Sequence, residues 1–187
     1  MIATYLAKIM SIKVPETVTF QQAIALTESL LSQVEASAIS QSETADAIAH
    51  LVKTENGARG FFVTYLTSDA SIADNPPTSV VQALQSSPDV VAELLVKNLA
   101  MSATQAMYHR RNHKEDMAED SERVRQRTER LIQLIDLPAV YDRAQKLMES
   151  ATTGEGEYKA FLERWDYDAE QRQVMAQALQ QIIPEPR

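Results

Sequence analysis

Cysteine is absent from this chain of 187 residues, which removes disulfides, thiolate nucleophiles and every cysteine-based zinc or iron–sulfur site. Glycine is nearly as scarce. Gly57, Gly60, Gly154 and Gly156 are all there are, so few positions suit left-handed turns, and glycine-rich phosphate loops and dinucleotide fingerprints are excluded. Neither a Gly-x-Ser-x-Gly elbow nor a Walker lysine loop is present. No apolar run approaches the roughly 18 residues of a membrane span, since even VVAELLV carries Glu93. At the amino terminus, MIATYLAKIMSIKV carries Lys8 and Lys13 rather than a basic stretch ahead of an apolar one, and no small-residue cleavage signature follows. A soluble, cytoplasmic protein is expected. Positive charge is also short: 18 Lys and Arg against 26 Asp and Glu give a net charge of −8 and a pI near 4.9. Such a surface repels nucleic acid and anionic membrane, and neither is expected as a partner.

What is present is helical periodicity. In TFQQAIALTESLLSQVEA, Phe20, Ala23, Ile24, Leu30, Leu31 and Val34 recur at three and four residues, one face of a helix. In SQSETADAIAHLVKTENG, Ser40 and Glu43 have the spacing of a capping box, and Asn56-Gly57 reads as a left-handed stop. Residues 58–68 are rich in strand formers, yet Phe61, Phe62, Tyr65 and Leu66 follow helical spacing, and helix is the reading taken. A loop is expected over 69–77, closed by a double proline.

Ser87-Pro88-Asp89 marks a helix start, and no glycine or proline follows until Pro138. A long central helix over roughly 88–135 is therefore expected, with a possible break near Asn112 where the seam turns polar. Val140, Tyr141, Ala144, Leu147 and Met148 mark the next helix; Tyr158, Phe161, Leu162 and Trp165 a short one; Asp168 with Gln171 caps the last. The reading is an all-α bundle of about eight helices in a single domain, 1–187, with a C-terminal helical hairpin over 155–183. Its expected core includes Phe61, Phe62, Leu94, Leu95, Leu99, Leu131, Ile135, Leu147, Phe161 and Trp165.

The one constellation that suggests chemistry is YHRRNHKEDMAED. His109 and His113 stand four apart, with Asp116 three further on, so on a continuous helix the three share a face; Asp46 and His50 offer a second pair. Five such ligands could hold a divalent metal ion for a metal-binding bundle or a metal-dependent hydrolase. Against this, Arg110, Arg111 and Lys114 put positive charge beside any cation, and no His-Glu-x-x-His motif is present. A polar helix layer is the favoured reading, with His50 partly buried and oriented by Asp46.

Arg123, Arg127 and Arg130 share a face that could grip phosphate or an acidic helix. Between 109 and 130, however, seven Lys and Arg are opposed by six Asp and Glu, which reads as a solvated, salt-bridged face. The expected function is a non-enzymatic interaction or regulatory protein that binds a protein partner, or itself as a homodimer, through helix faces, with no cofactor. A lower reading is a ligand-binding regulator with a pocket near Phe61, Phe62 and Tyr65.

Overall fold

Helix signals in the sequence translate directly into a chain that, among the described residues, has ten helices and no strands. The structure is a computed structural model and describes residues 12–184; Lys8, part of the expectation about the amino terminus, lies outside them. The fold is all-α, and none of the described helices is long and apolar enough to cross a membrane. The sequence reading treats 1–187 as one domain; in space the contacts gather into two compact units that divide between Ser87 and Pro88.

The first unit holds α1 (Phe20–Glu35), α2 (Gln41–Leu51), α3 (Glu55–Thr67), α4 (Ser71–Asp74) and α5 (Thr78–Gln85). Thr19 with Gln22 and Ser40 with Glu43 form capping boxes on α1 and α2, each satisfying two otherwise orphaned backbone N–H groups. Residues 58–68 fall in α3 and its C-cap, as their spacing requires. The stop expected at Asn56-Gly57 is not there: α2 ends at Leu51, Thr54 caps α3, and Gly57 is helical. Gly57 must be glycine for another reason, since a Cβ would fall 2.1 Å from the Leu51 carbonyl oxygen. The 69–77 loop contains the single turn α4, anchored by the Tyr65 hydroxyl, which donates to the Ile72 carbonyl at 2.6 Å. Helices α1 and α3 pack together at Gly60, while α2 lies against α5.

The second unit holds α6 (Pro88–Arg111), α7 (Glu115–Ile135), α8 (Pro138–Thr153), α9 (Lys159–Arg164) and α10 (Ala169–Ile182). Helix α6 touches α7, α8 and α10, and α8 packs on α10. Val91, Leu95 and Leu99 of α6, Leu131 and Ile135 of α7, Leu147 of α8 and Leu179 of α10 are fully buried, each worth about 1.5–3 kcal/mol of transfer from water. The expected hairpin 155–183 is two helices that both rest on α8.

The spine over 88–135 is broken, and the backbone shows how. The Lys114 N–H donates to the His109 carbonyl at 2.9 Å and the His113 N–H to the Arg110 carbonyl at 3.1 Å, a Schellman closure with His113 in the left-handed region at φ 56°. Asn112 adds a side-chain bond to the Tyr108 carbonyl at 2.7 Å. A glycine-poor chain was expected to offer few left-handed positions, yet Ser37, His113, Asp136 and Asp166 all adopt one without being glycine.

Two aromatic expectations also change. Trp165 is 48% exposed, because the left-handed Asp166 reverses the chain after α9 and sends Tyr167 inward in its place. Phe161 and Leu94 are only partly buried.

Candidate interaction surface at the α6–α7 turn

His109 ends α6, His113 lies beyond its C-cap, and Asp116 opens α7, so the turn of 100° per residue that would align the three is interrupted at His113. His113 and Asp116 are exposed. The half-buried His109 ring meets Tyr108 edge-on at 5.6 Å, and its Nδ1 has no hydrogen-bond partner among the described residues. In the first unit His50 is exposed rather than partly buried; its Nδ1–H donates to the Asp46 backbone carbonyl at 2.7 Å, so the Asp46 carboxylate does not orient it. Among the described residues no group of three or more His, Asp or Glu side chains is placed to hold a metal ion.

The arginine stripe is equally altered. Arg127 is 5% exposed, so it does not belong to a solvated face, while Arg130 is exposed. Arg125 is clamped between Glu122, to which its Nε donates at 2.9 Å, and Glu129 at 2.5 Å. Both partners respond: hydrogen bonding from Arg125 holds the Glu122 carboxyl below its usual range, and the same bond raises the guanidinium. The rings of Phe61, Phe62 and Tyr65 are buried in the first unit's core, Phe61 stacked on Tyr65 at 5.0 Å.

The end of the second unit formed by the α6–α7 turn has the features of a contact surface. Arg111, in the last turn of α6, donates to Asp168 at 2.7 Å and also pairs with Glu170. Asp168 is at the same time the N-cap of α10, accepting from the Gln171 N–H at 2.8 Å. Hydrogen bonding from Arg111 and then from the Gln171 backbone keeps the Asp168 carboxyl below its ordinary range. This clamp ties the α9–α10 turn to the end of α6.

Tyr108 lies three residues before Arg111, Trp165 three before Asp168, and Met117 is the third residue of α7. The clamp and the short α6–α7 link thus bring all three to one end, where they are 46%, 48% and 47% exposed. Large apolar side chains exposed singly are ordinary; three at one end of a unit mark a surface. Sequence periodicity could not show this, since it assigns Trp165 to the core.

Charge at this end is one-sided. Residues 108–120 and 163–170 hold eight Asp and Glu, all exposed, against four Lys and Arg. Arg110 is drawn to Glu115 at 3.7 Å, Arg111 to Asp168 and Glu170, and Arg123 to Asp120 at 3.2 Å, so half of these carboxylates are paired, and Asp116, Glu119, Glu163 and Asp166 remain against Lys114 and Arg164. This end of the unit thus carries exposed apolar side chains together with an excess of carboxylates.

Over residues 19–182 the chain matches the family described as uncharacterised conserved protein UCP020893, and it belongs to that family. No curated protein and no solved structure matches it.

Proposed function

We propose that this member of the UCP020893 family is a non-enzymatic interaction protein that binds a protein partner through the end of its second unit. The observation that carries the reading is the convergence of Tyr108, Met117 and Trp165, each nearly half exposed, on one end beside the Arg111 clamp. Tyrosine, tryptophan, methionine and arginine are the residue types enriched in protein interfaces, where a few anchors supply most of the affinity. A regulatory role, in a cytoplasmic setting, follows if the partner is an enzyme or a regulator there. A homodimer belongs to the same proposal but would use another face, because two copies meeting at this end would set carboxylates against carboxylates.

The test is a photo-crosslinking amino acid placed at Tyr108 in the full chain in cells, with exposed Gln133 in α7 as the control position. A discrete adduct at 108 that is absent at 133 and lost in the Trp165→Ala background is the expected result. Equal, diffuse labelling at both positions would remove the reading. Light scattering of the purified chain reads self-association separately.

A further inference from the structure

We propose that the partner bound at this end is a cationic amphipathic segment of another protein, its Lys and Arg meeting the carboxylates while its apolar side chains cover Tyr108, Met117 and Trp165. This rests on the interaction reading above and names the chemistry of the partner.

A surface with eight exposed carboxylates to four basic side chains across its two turns attracts positive charge and repels negative. Asp116 and Glu119 on α7, with Asp166 next to Trp165 in the chain, form no salt bridge among the described residues and are available to one, while the Glu163 carboxylate acts on Lys159. Apolar area alone would accept many partners, and acidic charge alone would attract only diffuse counterions. Together they select a segment that carries both kinds of group on one face, as an amphipathic helix with Lys or Arg flanking Leu or Phe does. Nucleic acid fails on sign, and a second copy of this chain presents the same charge at this end.

The chain contains a single tryptophan, so the emission of Trp165 reports contact at the patch without a label. The full chain is titrated with two synthetic helices of about four turns that share one leucine pattern, one with lysine and the other with glutamate at the polar positions. The Leu/Lys peptide is expected to shift the Trp165 emission to the blue and to saturate, with affinity falling roughly tenfold between about 50 and about 200 mM salt. The Leu/Glu peptide is expected to leave the emission unchanged.

Two variants tie the signal to the surface. The Tyr108→Ala, Met117→Ala double variant removes only exposed side chains and is expected to weaken binding by about tenfold or more. Asp116→Asn with Asp166→Asn, which keeps a residue type tolerant of the left-handed conformation at 166, is expected to weaken binding at low salt and to flatten its salt dependence. Equal binding of both peptides, or Leu/Lys binding unmoved by either variant, overturns the proposal. If the peptide fails while the crosslinker at 108 still captures a partner, the cationic class falls and the interaction reading stands; if both fail, both fall.

Discussion

At residue 60 a single hydrogen atom stands where a methyl group would have to fit. A Cβ on Gly60 would lie 2.4 Å from the Cβ of Ala23 and 2.8 Å from the Phe20 carbonyl oxygen, so α1 and α3 would be forced apart. Gly60→Ala is expected to lower the unfolding free energy by about 1–3 kcal/mol or more, measured by urea denaturation, although the same change in an unobstructed helix would stabilise. His113 makes the opposite case. Its left-handed backbone costs roughly 1–2 kcal/mol in a residue with a Cβ, and the ring is exposed. His113→Gly is expected to leave the thermal midpoint unchanged or raise it, the gain being offset in part by the roughly 0.5–1 kcal/mol of added chain freedom that glycine brings to the unfolded state. A marked loss of stability would mean that the imidazole makes contacts of its own. Trp165 supplies the third test at this scale: with about half of the indole in water, native emission should lie toward the red and shift only modestly on unfolding. A strongly blue native spectrum in dilute protein would contradict the exposed position.

Between elements, the second unit is held by more than apolar packing. Glu93 of α6 accepts from the Tyr158 hydroxyl at 2.7 Å, pairs with Lys97 at 2.6 Å and receives Arg143 of α8 at 3.2 Å. Lys97 also lies over the Phe161 ring at 5.4 Å, so one polar cluster joins α6, α8 and α9. Burial pushes the Glu93 carboxyl upward, but hydrogen bonds from Lys97 and Tyr158 and the charges of Lys97 and Arg143 outweigh it, leaving the group below its ordinary value of 4.5. A carboxyl lowered on folding contributes stability that is complete above its unfolded value and lost as pH falls through the folded one. Tyr158→Phe is therefore expected to cost about 1–3 kcal/mol near neutral pH and less at an acid pH low enough to protonate Glu93 in the folded chain. Equal losses at the two pH values would show that the bond to Glu93 is not what the hydroxyl contributes.

For the whole molecule, titration on the alkaline side reads three structural joints at once. Tyr141 is pushed up to about 12, chiefly by donating its hydroxyl to Asp136 at 2.6 Å. Tyr158 and Tyr167 are raised above the usual phenol range, both mainly by burial, with the Glu93 bond adding for Tyr158 and Thr104 opposing for Tyr167. A tyrosine raised on folding contributes stability that is complete below its unfolded value near 10 and lost as pH rises through the folded value. In an ultraviolet titration of the native chain these three should ionise late, so that part of the phenolate absorbance appears only where the chain unfolds. A single normal phenol transition in native protein would be incompatible with these contacts. The division at Pro88 gives a further expectation: a fragment 88–187, whose helices pack on one another, should be helical and unfold cooperatively by circular dichroism.

Helix content, the capping boxes at Ser40 and Asp168, the start at Pro88 and the helical reading of residues 58–68 were legible in the amino-acid order, because each depends on neighbours within one or two turns. The break at residues 112–114 was half legible: the polar seam pointed to Asn112, but nothing in the local pattern marks histidine as a residue that takes the left-handed position. Exposure was not legible at all for Trp165, nor burial for Arg127, since a side chain's surroundings are supplied by elements far away in sequence. The same limit governed function. Spacing alone put His109, His113 and Asp116 on one face, and a single backbone turn separated them; the apolar, acidic end arose only when Arg111 reached Asp168, 57 residues along the chain. Local order fixes which segments become helices, and long-range packing decides which of their side chains are left facing water.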